Sequence, residues 1–136
     1  MAITFSYESI GDWLQVTATW TSDASGDASD TTARIVGSLV KATTIPDGTA
    51  IPTDNYDITL TDDEGIDILD PCAQSLADRS NVAAQAIYCI FSGTSEPVAT
   101  YPAVADAVTV TVANAGDSKA GVLKLLFRGA LAGTST

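Results

Sequence analysis

The sequence predicts an all-β protein, a single-domain antiparallel β-sandwich or small barrel of seven or eight strands with little or no helix. Three observations carry this expectation. Short runs of alternating apolar and polar residues recur along the chain, turn-forming residues separate them every ten positions or so, and only one segment has any helical leaning. At 136 residues the chain fits one domain, 1–136, large enough to bury about two thirds of its unfolded surface. Hydrophobic residues make up 46% and charged residues 17%, well outside the disordered range, so a packed core is expected.

Ile3 to Tyr7 alternates, and after a break at Ile10-Gly11-Asp12 a longer run begins at Trp13, with Val16, Ala18 and Trp20 on one side. Two strands therefore open the domain, and residues 1–8 could also serve as an extended N-terminal arm. Residues 22–31 contain no large apolar side chain and read as a flexible acidic loop. Thr32 to Ile45 is rich in β-branched residues around Gly37, which predicts a strand with a bulge or bend at the glycine. Ile45-Pro46-Asp47-Gly48-Thr49 is a turn in which proline fixes one φ and glycine is expected to supply a positive one. A second turn surrounds Pro52 to Asn55.

Tyr56 to Thr61 is the cleanest strand, with Tyr56, Ile58 and Leu60 on one face and Asp57, Thr59 and Thr61 on a wet face. The acidic turn Asp62-Asp63-Glu64-Gly65 leads into Ile66 to Leu69, which either pairs as a short hairpin arm or begins an irregular connection. Asp70 to Gln85 holds Ala73, Leu76, Ala77, Ala83 and Ala84 at mixed spacing, enough for one helical turn at most. Ala86 to Phe91 reads as a strand, and 92–102 as a loop. Ala107 to Ala113 places Val108, Val110 and Val112 on one face. The last strand, Gly121 to Leu131, buries Leu123, Leu125 and Phe127 and turns Lys124 and Arg128 the other way.

Seventeen acidic residues against six basic ones give a net charge of −11, which repels nucleic acid and anionic lipid, so neither is an expected partner. The opening residues lack the basic start and apolar stretch of a signal peptide, and no run approaches the ~20 apolar residues of a membrane span. A soluble product of the cytoplasm is the expectation. Cys72 and Cys89 then read as reduced, buried thiols, although a bond between them would add about 3 kcal/mol.

The chain has no histidine, which excludes Ser/His/Asp and Cys/His catalysis and removes the commonest general base. Asp62, Asp63, Glu64 and Asp67 are close enough for paired-carboxylate chemistry, yet they lie in a turn where solvated acids are the ordinary expectation. No glycine-rich phosphate motif is present, and neither acidic loop matches a twelve-residue calcium loop. The reading is therefore a protein with no enzymatic activity and no cofactor. Trp13 and Trp20 are seven apart in one strand and so face opposite ways; with Ile3, Phe5 and Tyr7 they are the candidate protein-interface residues.

The run Pro52 to Leu69, with the Val108-Thr109-Val110-Thr111-Val112-Ala113-Asn114-Ala115-Gly116 strand and Lys119 after it, resembles small virion proteins of tailed phages. Those proteins pair a Tyr-Asp-hydrophobic-Thr-Leu-Thr-Asp-acidic-Gly hairpin with a late Thr-Val-Thr-Val-Asn-x-Gly strand, and the similarity spans roughly positions 35 to 128. The resemblance implies a structural component of the particle. Within that class a head decoration, or cement, protein fits best: small, acidic, β-rich, bound to the major capsid protein on the outer shell, and often a homotrimer. A tail, neck or fibre component, or an adhesive module binding host-surface glycan, uses the same architecture and is the alternative. Docking is expected through residues 1–7 or an exposed sheet edge.

Overall fold

In the computed structural model, residues 2–70, 75–89, 91–92 and 99–133 are described. Cys72 and most of the 92–102 loop lie outside them. The chain forms β1 (Ile3–Ile10), β2 (Trp13–Thr21), β3 (Ala28–Thr31), β4 (Arg34–Pro46), β5 (Tyr56–Thr61), β6 (Leu76–Arg79), β7 (Gln85–Tyr88), β8 (Phe91–Ser92), β9 (Ala99–Thr100), β10 (Ala103–Val104), β11 (Thr109–Ala113) and β12 (Ala120–Gly133). The fold is an all-β sandwich. A six-stranded antiparallel sheet, ordered β1-β2-β12-β4-β10 with β7 also on β4, packs on a four-stranded one ordered β3-β11-β5-β6. Among the described residues twelve strands stand where seven or eight were expected: three are only two residues long, and Ala28–Thr31 and Leu76–Arg79 each bury a single apolar residue and so leave no periodic signal.

The alternation read from the sequence is the alternation that packs. In β2 the side chains of Leu14, Val16, Ala18 and Trp20 are fully buried; in β12 Leu123, Leu125 and Phe127 are; in β5 and β11 Tyr56, Leu60, Val110 and Val112 meet them from the other sheet. Each such large apolar side chain contributes about 1.5–3 kcal/mol by leaving water. Trp20 and Tyr56 pack across the sheets with ring centroids 5.5 Å apart, tilted at 48°. Trp20 also lies over Gly121, its partner on β12: a Cβ there would sit 2.5 Å from Trp20 Cζ2. Only glycine lets the indole lie against that backbone.

Local structure departs from these expectations in part. β4 is irregular at Gly37, as expected, where that one residue stands opposite residues 129 and 130 of β12, and again where Val40 is extra between Lys41, opposite Leu126, and Leu39, opposite Phe127. Leu39 and Val40 are both buried as a result, and the buried positions shift from odd to even numbers. Gly48 does not take a positive φ; Asp47 Oδ2 closes that turn by accepting hydrogen bonds from the amides of Ala50 at 2.7 Å and Thr49 at 3.0 Å. Residues 28–31 of the supposed flexible loop form β3, held to β11 by hydroxyl pairs Thr31–Thr109 at 3.0 Å and Ser29–Thr111 at 3.3 Å. Ahead of β3, Asp23 Oδ1 accepts from the amides of Ser25 and Asp27, so the acidic stretch is a hydrogen-bonded turn. Within 70–85, expected to hold one helical turn at most, Asp70 is helical, residues 71–74 lie outside the described residues, and Leu76 to Arg79 pairs with β5 as a strand that the spacing does not signal.

The turn after β5 leads into an irregular connection, the second of the two outcomes left open. Asp62 Oδ1 accepts from the amides of Glu64 and Ile66 at 2.9 Å each, Gly65 takes a φ of 82°, and a lone bridge joins Thr61 to Asp67 before the chain leaves the sheet.

Candidate functional site

The N-terminal residues do not form a free arm. Ile3 to Ile10 pairs with β2 along its whole length, from Ile3 opposite Trp20 to Ile10 opposite Trp13. The cause is the pattern that suggested a strand: Ile3, Phe5 and Tyr7 share one face, buried at Ile3, half-buried at Phe5 and exposed at Tyr7, and burying its first residues fixes the register. Of the five candidate interface residues, Ile3 and Trp20 are fully buried in the core and offer nothing to a partner. Phe5 is half-buried against that core. Tyr7 spans the side of the sandwich, its hydroxyl accepting a 2.7 Å hydrogen bond from the amide of Ala33, just ahead of β4. Trp13 alone points to the outer face of the large sheet, as its spacing from Trp20 requires.

That outer face is where the chain has most to offer a partner. Its register sets out rows of side chains across the strands. Ile10, Trp13 and Arg128 follow one another from β1 through β2 to β12; in the next row Glu8, Gln15, Leu126, Lys41 and Tyr88 run from β1 to β7; in the third, Thr17 and Thr43 flank Lys124. The Arg128 guanidinium lies 5.8 Å from the centre of the Trp13 ring, and Lys41 Nζ lies 5.4 Å from that of Tyr88. These pairings were missed in the sequence because they join residues remote from one another in the chain, and only the strand order brings them together. Beside this face, β1 forms the sheet edge, paired on one side with β2.

The acidic cluster is elsewhere. Asp62, Asp63 and Glu64 bring their carboxylates within 4.8 Å of one another at the tip of the β5 turn, beside a shallow recess bordered by Ala103 to Asp106. Exposed acids of this kind hold water as readily as a cation. Among the described residues one ion pair forms, Arg34 to Asp106 at 3.9 Å, with both side chains about half exposed, so it adds little stability.

Among the described residues two titratable groups are displaced from their ordinary range, and each displacement is structural. The amides of Ala50 and Thr49 stabilise the Asp47 carboxylate and hold it below the usual value, which makes it a fixed anion and not a proton carrier. Burial pushes the Tyr56 phenol up, opposed in part by the Thr44 hydroxyl and the positive charge of Arg79. Its oxygen lies in the core, where neither it nor Trp20 Nε1 meets a hydrogen-bond partner in good geometry. No helix is long and apolar enough to cross a membrane among the described residues. No protein-family model matches this chain, and no curated protein matches it.

Proposed function

We propose that this chain is a non-enzymatic structural protein of a tailed-phage particle, a decoration or cement protein made in the host cytoplasm and seated on the outer capsid surface. The observation that supports a binding role most directly is the broad outer face of the six-stranded sheet, which carries aromatic and cationic side chains and ends in an eight-residue edge strand. A face and an edge of this kind serve docking, either by side-chain contact or by adding a strand. The two segments that carry the phage resemblance are neighbours in space: Ile58, Thr59 and Leu60 pair directly with Val112, Thr111 and Val110. They form one structural unit.

A glycan-binding role requires aromatic rings grouped beside loop carboxylates. Trp13 and Tyr88 are instead separated by β12 and β4, and each has a cation against its ring. Protein contact is the reading this arrangement favours.

The test is co-sedimentation of the purified protein with capsid shells prepared without it. Saturable pelleting at a fixed ratio to the major capsid protein is the expected result. Protein that stays in the supernatant at every ratio, while pelleting with isolated tails, moves the assignment to a tail or neck component.

A further inference from the structure

We propose that the outer face of the six-stranded sheet docks the carboxylate-bearing surface of a second copy of this chain. Three of the chain's six cations, Lys41, Lys124 and Arg128, stand on the strands of this face, against one acid among the described residues of those strands, Glu8. Strand spacing places Lys41 about 8 Å diagonally from each of the other two, so the three form one patch. No carboxylate of the described residues comes within 4.0 Å of any of them. In a chain with almost three acids for every base, cations left without carboxylates in one region are an unmatched charge pattern. The complementary pattern is present in the same molecule: Asp62, Asp63 and Glu64 crowd their carboxylates together on a turn of the other sheet, with no cation bonded to them. The acidic turn lies against Ala103 to Asp106 at the β10 edge, while the three cations stand on β4 and β12 with no carboxylate of the described residues in reach, so within one copy the two patches are not paired.

The net charge of −11 on each copy opposes this contact. Screening decides the balance: at physiological ionic strength the Debye length is about 8 Å, so the distant charges of two docked copies are largely screened while contacting pairs are not. The aromatic rings under the cations strengthen the case. Trp13 and Tyr88 add apolar area at the patch, and arginine with aromatic side chains is the composition enriched in protein contacts. Five strands about 4.8 Å apart give a face roughly 20 Å wide, smaller than a stable obligate interface, so the contact is weak in isolation. It is also heterologous, a face on one copy and a turn on the next. Such contacts repeat into a closed ring or a row, and repetition turns weak contacts into avidity. The inference does not rest on the virion reading.

The measurement is solution mass by sedimentation equilibrium from about 10 μM to about 1 mM. The wild type is expected to rise above the 14.0 kDa monomer with concentration. Lys124→Glu with Arg128→Glu should weaken association at least about tenfold. Asp63→Lys with Glu64→Lys should do the same; Asp62 is left intact because its carboxylate closes the turn. Mixing the two double variants should restore association, which also shows that each is folded. A wild type that remains at 14.0 kDa throughout, reversals without effect, or a mixture that stays monomeric would each overturn the proposal. Monomer that still pellets with capsid shells overturns this contact and leaves the virion reading standing; association without capsid binding does the reverse.

Discussion

Replacing Gly121 by alanine tests the packing of the whole sandwich at one atom. The added Cβ would lie 2.5 Å from Trp20 Cζ2, 2.7 Å from Cε2 and 2.9 Å from Nε1. Relaxed carbon contacts sit at about 3.5–4.0 Å, so the indole must retreat by roughly 1 Å. It has nowhere to go: Trp20 is fully buried, with Ile3 opposite on β1 and Tyr56 across the sheets. Interiors at crystal-like density resist such movement, and overpacking of this kind costs about 1–3 kcal/mol. The upper half of that range is expected here, because three ring atoms are struck together. For a domain of this size that corresponds to a fall in Tm of about 6–12 °C. Urea unfolding followed by tryptophan fluorescence measures it, with Gly48→Ala as the control, since nothing lies within 4 Å of a Cβ at Gly48. Trp20→Phe removes part of the struck ring, so in the double variant the alanine should cost at least about 1 kcal/mol less than it does alone. A Gly121→Ala protein within about 0.5 kcal/mol of wild type would refute the reasoning.

Tyr7→Phe removes the hydroxyl that accepts from the Ala33 amide and should cost about 1 kcal/mol, with faster hydrogen exchange at Ala33; unchanged exchange there would count against the bond. Asp57→Ala strips the carboxylate that accepts from the Asp78 amide at 2.9 Å and Asn114 Nδ2 at 2.6 Å, two residues held at positive φ, and a loss of about 1 kcal/mol in urea is expected. Because burial raises the Tyr56 phenol above its ordinary 10.0, the protonated ring costs the fold nothing below pH 10, and as pH rises beyond it ionisation in the unfolded chain draws stability down. Tyr56→Phe should therefore flatten the alkaline loss of stability and, having removed a buried hydroxyl without a good partner, cost nothing at pH 7; an equally steep alkaline limb in the variant would rule this out.

Alternation made the large strands legible. Tyr56 to Thr61, Thr109 to Ala113 and Ala120 to Gly133 each carry enough large apolar residues for a period of two to be visible, and their buried faces are those the sequence indicates. Ala28 to Thr31 has a single small apolar residue, so its pairing rests on cross-strand hydroxyls and backbone bonds that composition does not record. The extra residue at Val40 escaped notice for a related reason. A bulge is set by the partner strand, and β12 is remote in sequence. Among the candidate residues, spacing separated Trp13 from Trp20 correctly but could not say which was inside. Trp20 is inside because Gly121 makes room for it, a fact that appears only once β2 and β12 are side by side. The cationic patch was hidden in the same way, since Lys41 and Lys124 become neighbours through strand order alone.

The place of β12 governs how this molecule can be assembled. It lies between β2 and β4, pairing Ala120 with Thr21 and Gly133 with Arg34, so the last strand in sequence is an inner strand of the larger sheet. A nascent chain that has not yet reached Ala120 can close the β1–β2 hairpin but has nothing to join it to β4. Its two halves expose the apolar faces and unpaired edges that native packing hides. The larger sheet therefore cannot close until β12 has inserted between β2 and β4, and its formation is governed more by long-range pairing than by local structure.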